Sequence, residues 1–408
     1  MKYTRNLCLL TIAVCFCSEL LSQTMVDPLS NPLSNSLSNP LSNSRSFTPN
    51  NPPTIQESLD VFLIELSIQQ NLSLNLLRES FEDFKPQTTA KQYVAPVGAR
   101  AKKNWRTYQA NVLDPNRLAA GKKFWTEHEI FLKQLERERG IPPEIILSIL
   151  GIETIYGKNM GNFVVKDVLT TLAFDYPPSP NQVARKALFK SQLGDLIIYC
   201  SKKPNYGASH ALDHQNTPIP VTFKKCLNQP SSFAGAIGMP QFMPTSILQY
   251  ALDGNGDNLI DLRNQAQDAM ASIANFLLMH GWQIGQPATL PITQGAQSLD
   301  ITKQLADGDP NPKLSLDMLK KAGIVSDWPK TLNDQSPALI VDLPSTDKAG
   351  NDQVEYIVGL KNFEVITQYN RSFFYAMAVL DFAKAISAVI SPTNLAGAQP
   401  IKPKKFKK

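Results

Sequence analysis

At 408 residues the chain is too long for one small domain and short for three, at about 150 residues per domain. Hydrophobic residues make up 43% and charged residues 18%, enough apolar material for a core, which excludes a wholly disordered or fibrous chain. The net charge of +5 belongs to the C-terminus, where Lys402 to Lys408 hold five of the 40 basic residues; the remaining 35 balance 35 acidic ones, so the body does not have the charge of a nucleic-acid binder.

The N-terminus reads as a secretory signal over residues 1–22. Lys2 and Arg5 precede the apolar run Leu9–Phe16, which is shorter than the ~20 residues a spanning helix needs; the alternative is a plain membrane anchor. Cys15 and Cys17 are candidates for lipidation after cleavage, although Val14 and Phe16 stand where a lipoprotein signal takes a small residue. No later stretch is expected to reach the ~18 uninterrupted apolar residues of a membrane span. Cys200 and Cys226, the two cysteines outside the signal, are a candidate disulfide closing a loop of about 25 residues and worth about 3 kcal/mol; the alternative is two buried thiols. The histidines (His128, His210, His214, His280) lack metal-ligand spacing with them, so no zinc site is expected.

Residues 23–54 form a Pro/Ser/Asn linker, with NPLSNSLSNPLSNS at Asn31–Ser44 followed by Pro49, Pro52 and Pro53. Such a repeat has no apolar face to bury. Helical spacing begins near Ile55 with SLDVFLIELSIQ. It continues over Arg117–Arg139, which Gly140 ends before Pro142 and Pro143 open the next helix, then over Gln265–His280 and Tyr369–Ile390. Between Pro287 and Tyr356, ALIVDL and VEYIVGL read as strands among Pro, Gly and Asp. The expected class is mainly α (α+β), with one small β-rich insertion.

Two segments carry chemistry. In PPEIILSILGIETIYGKNMG, Pro142–Gly161, nearly every residue from Ile145 to Ile152 is apolar, which predicts a helix buried on all sides with Glu153 near its C-terminal end. Burial raises a carboxyl's pKa, and a Glu protonated at neutral pH is what a general acid requires; the alternative is a Glu that reaches solvent or pairs with a cation. In SSFAGAIGMPQFMPTS, Ser231–Ser246, small residues allow backbone to approach a ligand, and Gln241 offers a donor and an acceptor suited to a sugar. A tight loop packed on a core is the alternative there.

IETIYGKNMG, LTTLAFDYP, SFAGAIGMPQFMP and NFEVITQYNRSFFYAMAV, in that order between Tyr93 and Ala388, together resemble the membrane-bound lytic murein transglycosylase B family, which cleaves bacterial peptidoglycan. The resemblance implies a lysozyme-like catalytic core with a helical domain built from both chain ends and a small β-domain. The chain then divides into a signal peptide (1–22), the linker (23–54), a helical domain (55–139, completed by a C-terminal helix at 369–392), the lysozyme-like core (140–284), a β-rich domain (285–368) and a basic tail (393–408). It also implies that Glu153 is the sole catalytic acid/base and that Ser232, Gln241, Tyr176, Tyr369, Asn370 and Tyr375 bind substrate. The implied reaction is non-hydrolytic cleavage of the β-1,4 bond between N-acetylmuramic acid and N-acetylglucosamine with formation of 1,6-anhydromuramic acid. It requires no cofactor and places the protein in the periplasm, attached to the outer membrane if lipidated. The implied partners are peptidoglycan glycan strands and cell-wall synthesis or division proteins, with no nucleic acid. Where family members often carry Arg or Trp after the acid, this chain has Ile155 and Tyr156.

Asp253, Asn255, Asp257 and Asp261 match positions 1, 3, 5 and 9 of an EF-hand loop, with the Leu259 carbonyl at position 7. Asn258 replaces the turn glycine and Asn264 the closing Glu; the family's loop closes on a later Asp, for which Asp268 is the nearest match. A structural Ca²⁺ is the expectation, against an Asx-rich turn as the alternative. Residues 200–226 look inserted and would cap the cleft or decorate the surface. An alternative to the enzyme is a catalytically weak peptidoglycan-binding or scaffold protein.

Overall fold

The computed structural model describes residues 53–96, 102–202, 220–293, 295–325 and 327–390. The signal peptide with Cys15 and Cys17, nearly all of the linker, the interior of the 200–226 segment and the lysine tail lie outside the described residues.

The first helix, α1 (Ile55–Gln70), starts where helical spacing starts because Thr54 caps it. The Thr54 hydroxyl accepts from the Glu57 amide (3.2 Å) and the Glu57 carboxylate accepts from the Thr54 amide (2.8 Å). Short helices α2 (Leu74–Phe81), α3 (Thr88–Val94) and α4 (Trp105–Val112) lead to α5 (Pro115–Arg139). Asp114 and Pro115 set its start two residues earlier than the apolar spacing does, and Gly140 ends it in the left-handed region. Helix α6 (Pro143–Thr154) opens on proline and is buried at every position from Ile145 to Ile152. The core continues through β1 (Phe163–Val164), α7 (Val165–Phe174), α8 (Gln182–Lys202), α9 (Pro220–Leu227), β2 (Pro230–Ser231), α10 (Pro244–Tyr250) and α11 (Ala266–Met279). Strands β1 and β2 pair antiparallel, Phe163 opposite Ser231. The pairing brings the backbone so close that a Cβ on Gly161 would lie 2.2 Å from the Ser231 carbonyl oxygen.

The β-rich insertion comprises β3 (Thr289–Leu290), α12 (Asp300–Leu305), β4 (Leu314–Ser315), α13 (Leu316–Lys321), β5 (Pro337–Thr346) and β6 (Asp352–Gly359). Its strands form one antiparallel sheet in the order β3-β6-β5-β4. The two strands expected from ALIVDL and VEYIVGL are β5 and β6. Strand β5 reads as a nearly unbroken apolar run because both its faces are buried. Leu339, Val341 and Leu343 join the main core, while Ala338 and Ile340 join a second core with Leu290, Leu316, Leu319 and Val358.

The chain returns to the main core through α14 (Lys361–Tyr369) and α15 (Phe373–Ile390). The helix expected over Tyr369–Ile390 therefore begins only at Phe373, and Tyr369 is instead the last residue of α14. Asn370 is extended (φ −149°, ψ 119°), and the chain turns there before helix resumes at Phe373. Apolar spacing cannot reveal such a break, because residues on both sides face the same core. Among the described residues α15 is long and apolar enough by length and composition to cross a membrane, with a mean hydropathy of 1.7 over its 18 residues, although Asp381 and Lys384 interrupt the run. The helix is apolar because it packs on α4, α5 and α6, burying Phe374, Tyr375, Val379, Phe382 and Ile386.

Cys200 on α8 and Cys226 on α9 form a disulfide, Cα atoms 5.7 Å apart, so the alternative of two free thiols does not hold. Closing a loop over this sequence separation of 26 restricts the unfolded chain by about 3 kcal/mol. Cys226→Ser is expected to lower the thermal midpoint by several degrees, and the oxidised and reduced wild type, compared by thermal unfolding, should differ by the same amount.

Candidate active site

Helix α6 carries Glu153 to the edge of the main core. An apolar helix end inside a protein must place its last polar residues somewhere, and here the chain turns abruptly. Ile155 (φ 52°) and Tyr156 (φ 57°) are both left-handed, a region that costs a β-branched residue roughly 1–3 kcal/mol. The Tyr156 amide bonds back to the Leu150 carbonyl (3.1 Å), closing the helix as a glycine-ended one would close. Glu153 keeps a partly accessible surface.

Burial pushes the Glu153 carboxyl up to about 7, against the opposing hydrogen bond from Tyr375. The Tyr375 phenol on α15 donates to Glu153 Oε1 at 2.8 Å across 222 residues of sequence. Tyr369, at the end of α14, stacks on Tyr375 with ring centroids 6.2 Å apart and an interplanar angle of 12°. Burial first, and then the Glu153 charge, hold both phenols well above the ordinary tyrosine range, so each is a protonated donor.

The second motif forms a tight hairpin facing this group. Ile237 and Phe242 exchange backbone hydrogen bonds (2.8 and 3.1 Å), leaving Gly238–Gln241 as the turn. Gly238 has φ +75°, and a Cβ there would lie 2.5 Å from the Leu262 carbonyl oxygen. Gln241 is left-handed as well (φ 53°) without being glycine, and its side-chain amide donates to the Gly238 carbonyl at 2.9 Å. Tyr369 donates its phenol proton to the Pro240 carbonyl, and its ring packs against Phe242 and Phe276. Thr154, fully buried, accepts from the Gly157 amide (2.9 Å) and donates to the Met239 carbonyl (3.0 Å). The structure thus brings Glu153, Tyr369, Tyr375 and the Gln241 turn together, with Asn370 next along the chain. Asn370 is buried, and its side-chain carbonyl oxygen has no protein partner.

The other expected residues serve different contacts. Ser232 Oγ accepts the amides of Ala234 (3.3 Å) and Ala236 (3.0 Å), shaping the loop ahead of the hairpin. Tyr176 is buried, stacked on Phe189 (5.8 Å), with its hydroxyl 3.5 Å from the Val94 carbonyl oxygen. Asp175 beside it pairs with Lys91 at 2.6 Å, so this motif ties α7 to α3. Thr154 and the Met239 and Pro240 carbonyls have no sequence signal of their own beyond lying inside the quoted motifs.

In the EF-hand-like loop, Asp253 accepts the Gly256 and Asn258 amides (2.7 Å each), Asn255 that of Asp257 (3.0 Å) and Asp257 that of Leu259 (2.8 Å). Asn258 is left-handed (φ 66°), as the missing turn glycine requires. Asp268, fully buried at the start of α11, accepts from Gly254 (2.8 Å) and Asp261 (2.7 Å). Burial pushes its carboxyl up; the Gly254 and Asp261 amides oppose that rise, and the charges of Asp253 and Asp257 add to it. Among the described residues no three His, Cys, Asp or Glu side chains form a metal cage. The donors present (carboxylates, an amide and a backbone carbonyl) are the oxygen set of a hard cation, and buried Asp268 is the charge one would offset. The residues therefore fit calcium in kind.

A family model described as a transglycosylase SLT domain matches residues 55–384. The chain belongs to this family. It is 31% identical over 349 residues to membrane-bound lytic murein transglycosylase B of Escherichia coli (strain K12), covering 83% of each chain. The fold superposes on soluble lytic transglycosylase SltB1 from Pseudomonas aeruginosa with a TM-score of 0.67 at 30% identity, covering 81% of this chain and 99% of that one. It also matches the Escherichia coli lytic transglycosylase Slt35, solved in complex with bulgecin A (TM-score 0.64, 29% identity, 84% and 94% covered) and in complex with calcium (TM-score 0.63, 28% identity, 84% and 94% covered). The protein is a peptidoglycan lytic transglycosylase with a lysozyme-like, mainly helical fold.

The raised carboxyl has a consequence for stability. Between the ordinary Glu value of 4.5 and about 7, the unfolded chain has lost a proton that the folded chain keeps, so stability falls as pH rises through this window, by at most about 3 kcal/mol. Glu153→Gln removes this loss. The variant should unfold at a higher temperature than the wild type above about pH 7, and the gap should close near pH 5 in thermal scans.

Proposed function

We propose that Glu153 is the single acid and base of the transglycosylase reaction. Protonated Glu153 donates to the oxygen of the β-1,4 bond between N-acetylmuramic acid and N-acetylglucosamine, and that bond to C1 breaks. The muramic acid's own 2-acetamido group stabilises the developing positive charge. The Glu153 carboxylate then takes the proton of the C6 hydroxyl, whose oxygen bonds to C1 and closes the 1,6-anhydro ring. One carboxyl suffices because the substrate supplies the group for which other glycosidases use a second acid. The observation that carries this reading is the Glu153 carboxyl itself, desolvated at the end of an apolar helix and bonded by a phenol that stays protonated.

In this reading Tyr375 orients the acid, Tyr369 and the Gln241 turn wall the reaction centre, and the unpartnered Asn370 oxygen accepts from the glycan. Ser232 shapes the cleft loop and still has its hydroxyl proton to donate. Tyr176, buried with its hydroxyl against the Val94 carbonyl oxygen of α3, would brace the wall of the cleft. The β-rich insertion, joined to the main core through β5, would deliver α14 to the cleft. Export through residues 1–22 to the periplasm, with outer-membrane attachment if a signal cysteine is lipidated, accords with the membrane-bound naming of the Escherichia coli relative. Ca²⁺ would be held by Asp253, Asn255, Asp257, the Leu259 carbonyl and Asp268, bracing α11 without entering the reaction.

Glu153→Gln is expected to abolish release of 1,6-anhydro muropeptides from purified sacculi, read by mass spectrometry, while circular dichroism stays unchanged. Full activity in that variant excludes Glu153 as the acid, and muropeptides with reducing ends as the main product indicate a hydrolase. Wild-type activity should fall as pH rises through about 7, where Glu153 loses its proton. Calcium should release heat in a calorimetric titration and raise the thermal midpoint; neither response appearing would remove the site.

A further inference from the structure

Glu153 is followed at once by the most strained turn of the site, and the residue between them touches both sides of the cleft. The Thr154 side chain is fully buried, and its hydroxyl has two short contacts. It accepts the amide of Gly157, the first residue after the left-handed pair Ile155–Tyr156, and donates to the Met239 carbonyl at 3.0 Å, in preference to the Leu150 carbonyl of its own helix at 3.5 Å. Met239 belongs to the hairpin turn, whose next carbonyl, Pro240, accepts from Tyr369. Tyr369 stacks on Tyr375, and Tyr375 donates back to Glu153. These contacts form a closed ring: Glu153 to Thr154 along the chain, across to the hairpin, on to α14, α15 and Glu153 again. Every other link in it is a side chain that the family resemblance assigns to the cleft, or the backbone of the Gln241 turn.

We propose that Thr154 is a positioning residue for the acid, its hydroxyl holding the strained turn after α6 and the Gly238–Gln241 hairpin together so that Glu153 stays aligned and covered. The proposal rests on the reading of Glu153 as the acid. Without the hydroxyl, the Gly157 amide and the Met239 carbonyl lose this partner, and water entering the site would take its place. The hairpin remains anchored by the Ile237–Phe242 bridge and by the bond from the Met239 amide to the Leu262 carbonyl (2.7 Å), so the fold survives while its seat on α6 loosens. The titratable groups facing Glu153 are the phenols of Tyr375 on α15 and Tyr369 on α14; with both neutral, admission of water is what changes the proton affinity of the carboxyl.

Two isosteric pairs isolate the hydroxyl: Thr154 against Thr154→Val, and Thr154→Ser against Thr154→Ala. Turnover of purified sacculi is followed from about pH 5 to about pH 9 by release of anhydro product. In parallel, Glu153 is titrated by NMR of ¹³C-carboxyl-labelled glutamate, its resonance identified by its loss in Glu153→Gln. Thr154→Val should lower kcat about tenfold with KM changed about twofold or less, and should move both the alkaline limb and the Glu153 titration down by about one pH unit. Thr154→Ser should match the wild type within about twofold, and Thr154→Ala should behave as Thr154→Val. Wild-type kcat and titration in Thr154→Val, or equal losses in Thr154→Ser and Thr154→Ala, would overturn the proposal. If Thr154→Val does not fold, the Ser and Ala variants decide it. If the wild type releases no anhydro product, the functional reading has failed, and the NMR titration still decides whether Thr154 controls the carboxyl.

Discussion

The site depends on the desolvation of one carboxyl group. Glu153 stands at the end of a helix whose preceding eight residues are all buried, so no solvent-facing side of α6 is available to relieve it. The medium around it disfavours the ionised form and raises its proton affinity to about 7. A buried carboxyl is costly unless something bonds to it, and among the described residues the bond is that of one neutral phenol. A cation in place of Tyr375 would ionise the group and remove its capacity to donate. The choice of partner is therefore as much a part of the acid as the burial.

That partner comes from far along the chain, and the architecture can be understood as the means of delivering it. Between α6 and α15 lie the rest of the lysozyme-like core and the whole β-rich insertion. The insertion does not float free: alternate residues of β5 enter the main core and the second core, so the sheet is a shared wall that fixes where α14 emerges. Asn362, at the start of α14, reinforces the exit; its side chain accepts from the Gln283 amide (2.7 Å) and donates to the Gln283 and Gln286 carbonyls (2.8 Å each). The break at Asn370 then lets two aromatic residues from two helices face the same carboxyl.

Backbone strain concentrates at this point. Of the five non-glycine residues with positive φ among the described residues, Ile155, Tyr156 and Gln241 surround the acid, and the other two are Asn71 at the end of α1 and Asn258 in the EF-hand-like loop. Asparagine adopts that conformation at little cost, whereas a β-branched isoleucine and a tyrosine do so only where the surroundings over-determine it. The surrounding bonds are those of Thr154, of the helix-closing Tyr156 amide and of the hairpin.

The sequence by itself determined a good deal. Apolar spacing placed the starts of α1 and α5 to within two residues, and Gly140 with Pro142 and Pro143 marked the end of α5 and the opening of α6, because helix termini are governed by local backbone chemistry. The nearly continuous apolar run ahead of Glu153 pointed to a buried carboxyl, against the alternative of one that reaches solvent, and four motifs in order pointed to the family. The cysteine pair stayed open between disulfide and free thiols until the structure placed α8 beside α9. Tertiary structure alone decided which group meets the carboxyl, that the terminal helical stretch breaks at Asn370, and that Thr154 bridges two motifs which sequence treats separately. Helix spacing and turn chemistry are set by neighbours a few residues apart, whereas a local dielectric and a hydrogen bond across 222 residues exist only once the chain has closed on itself.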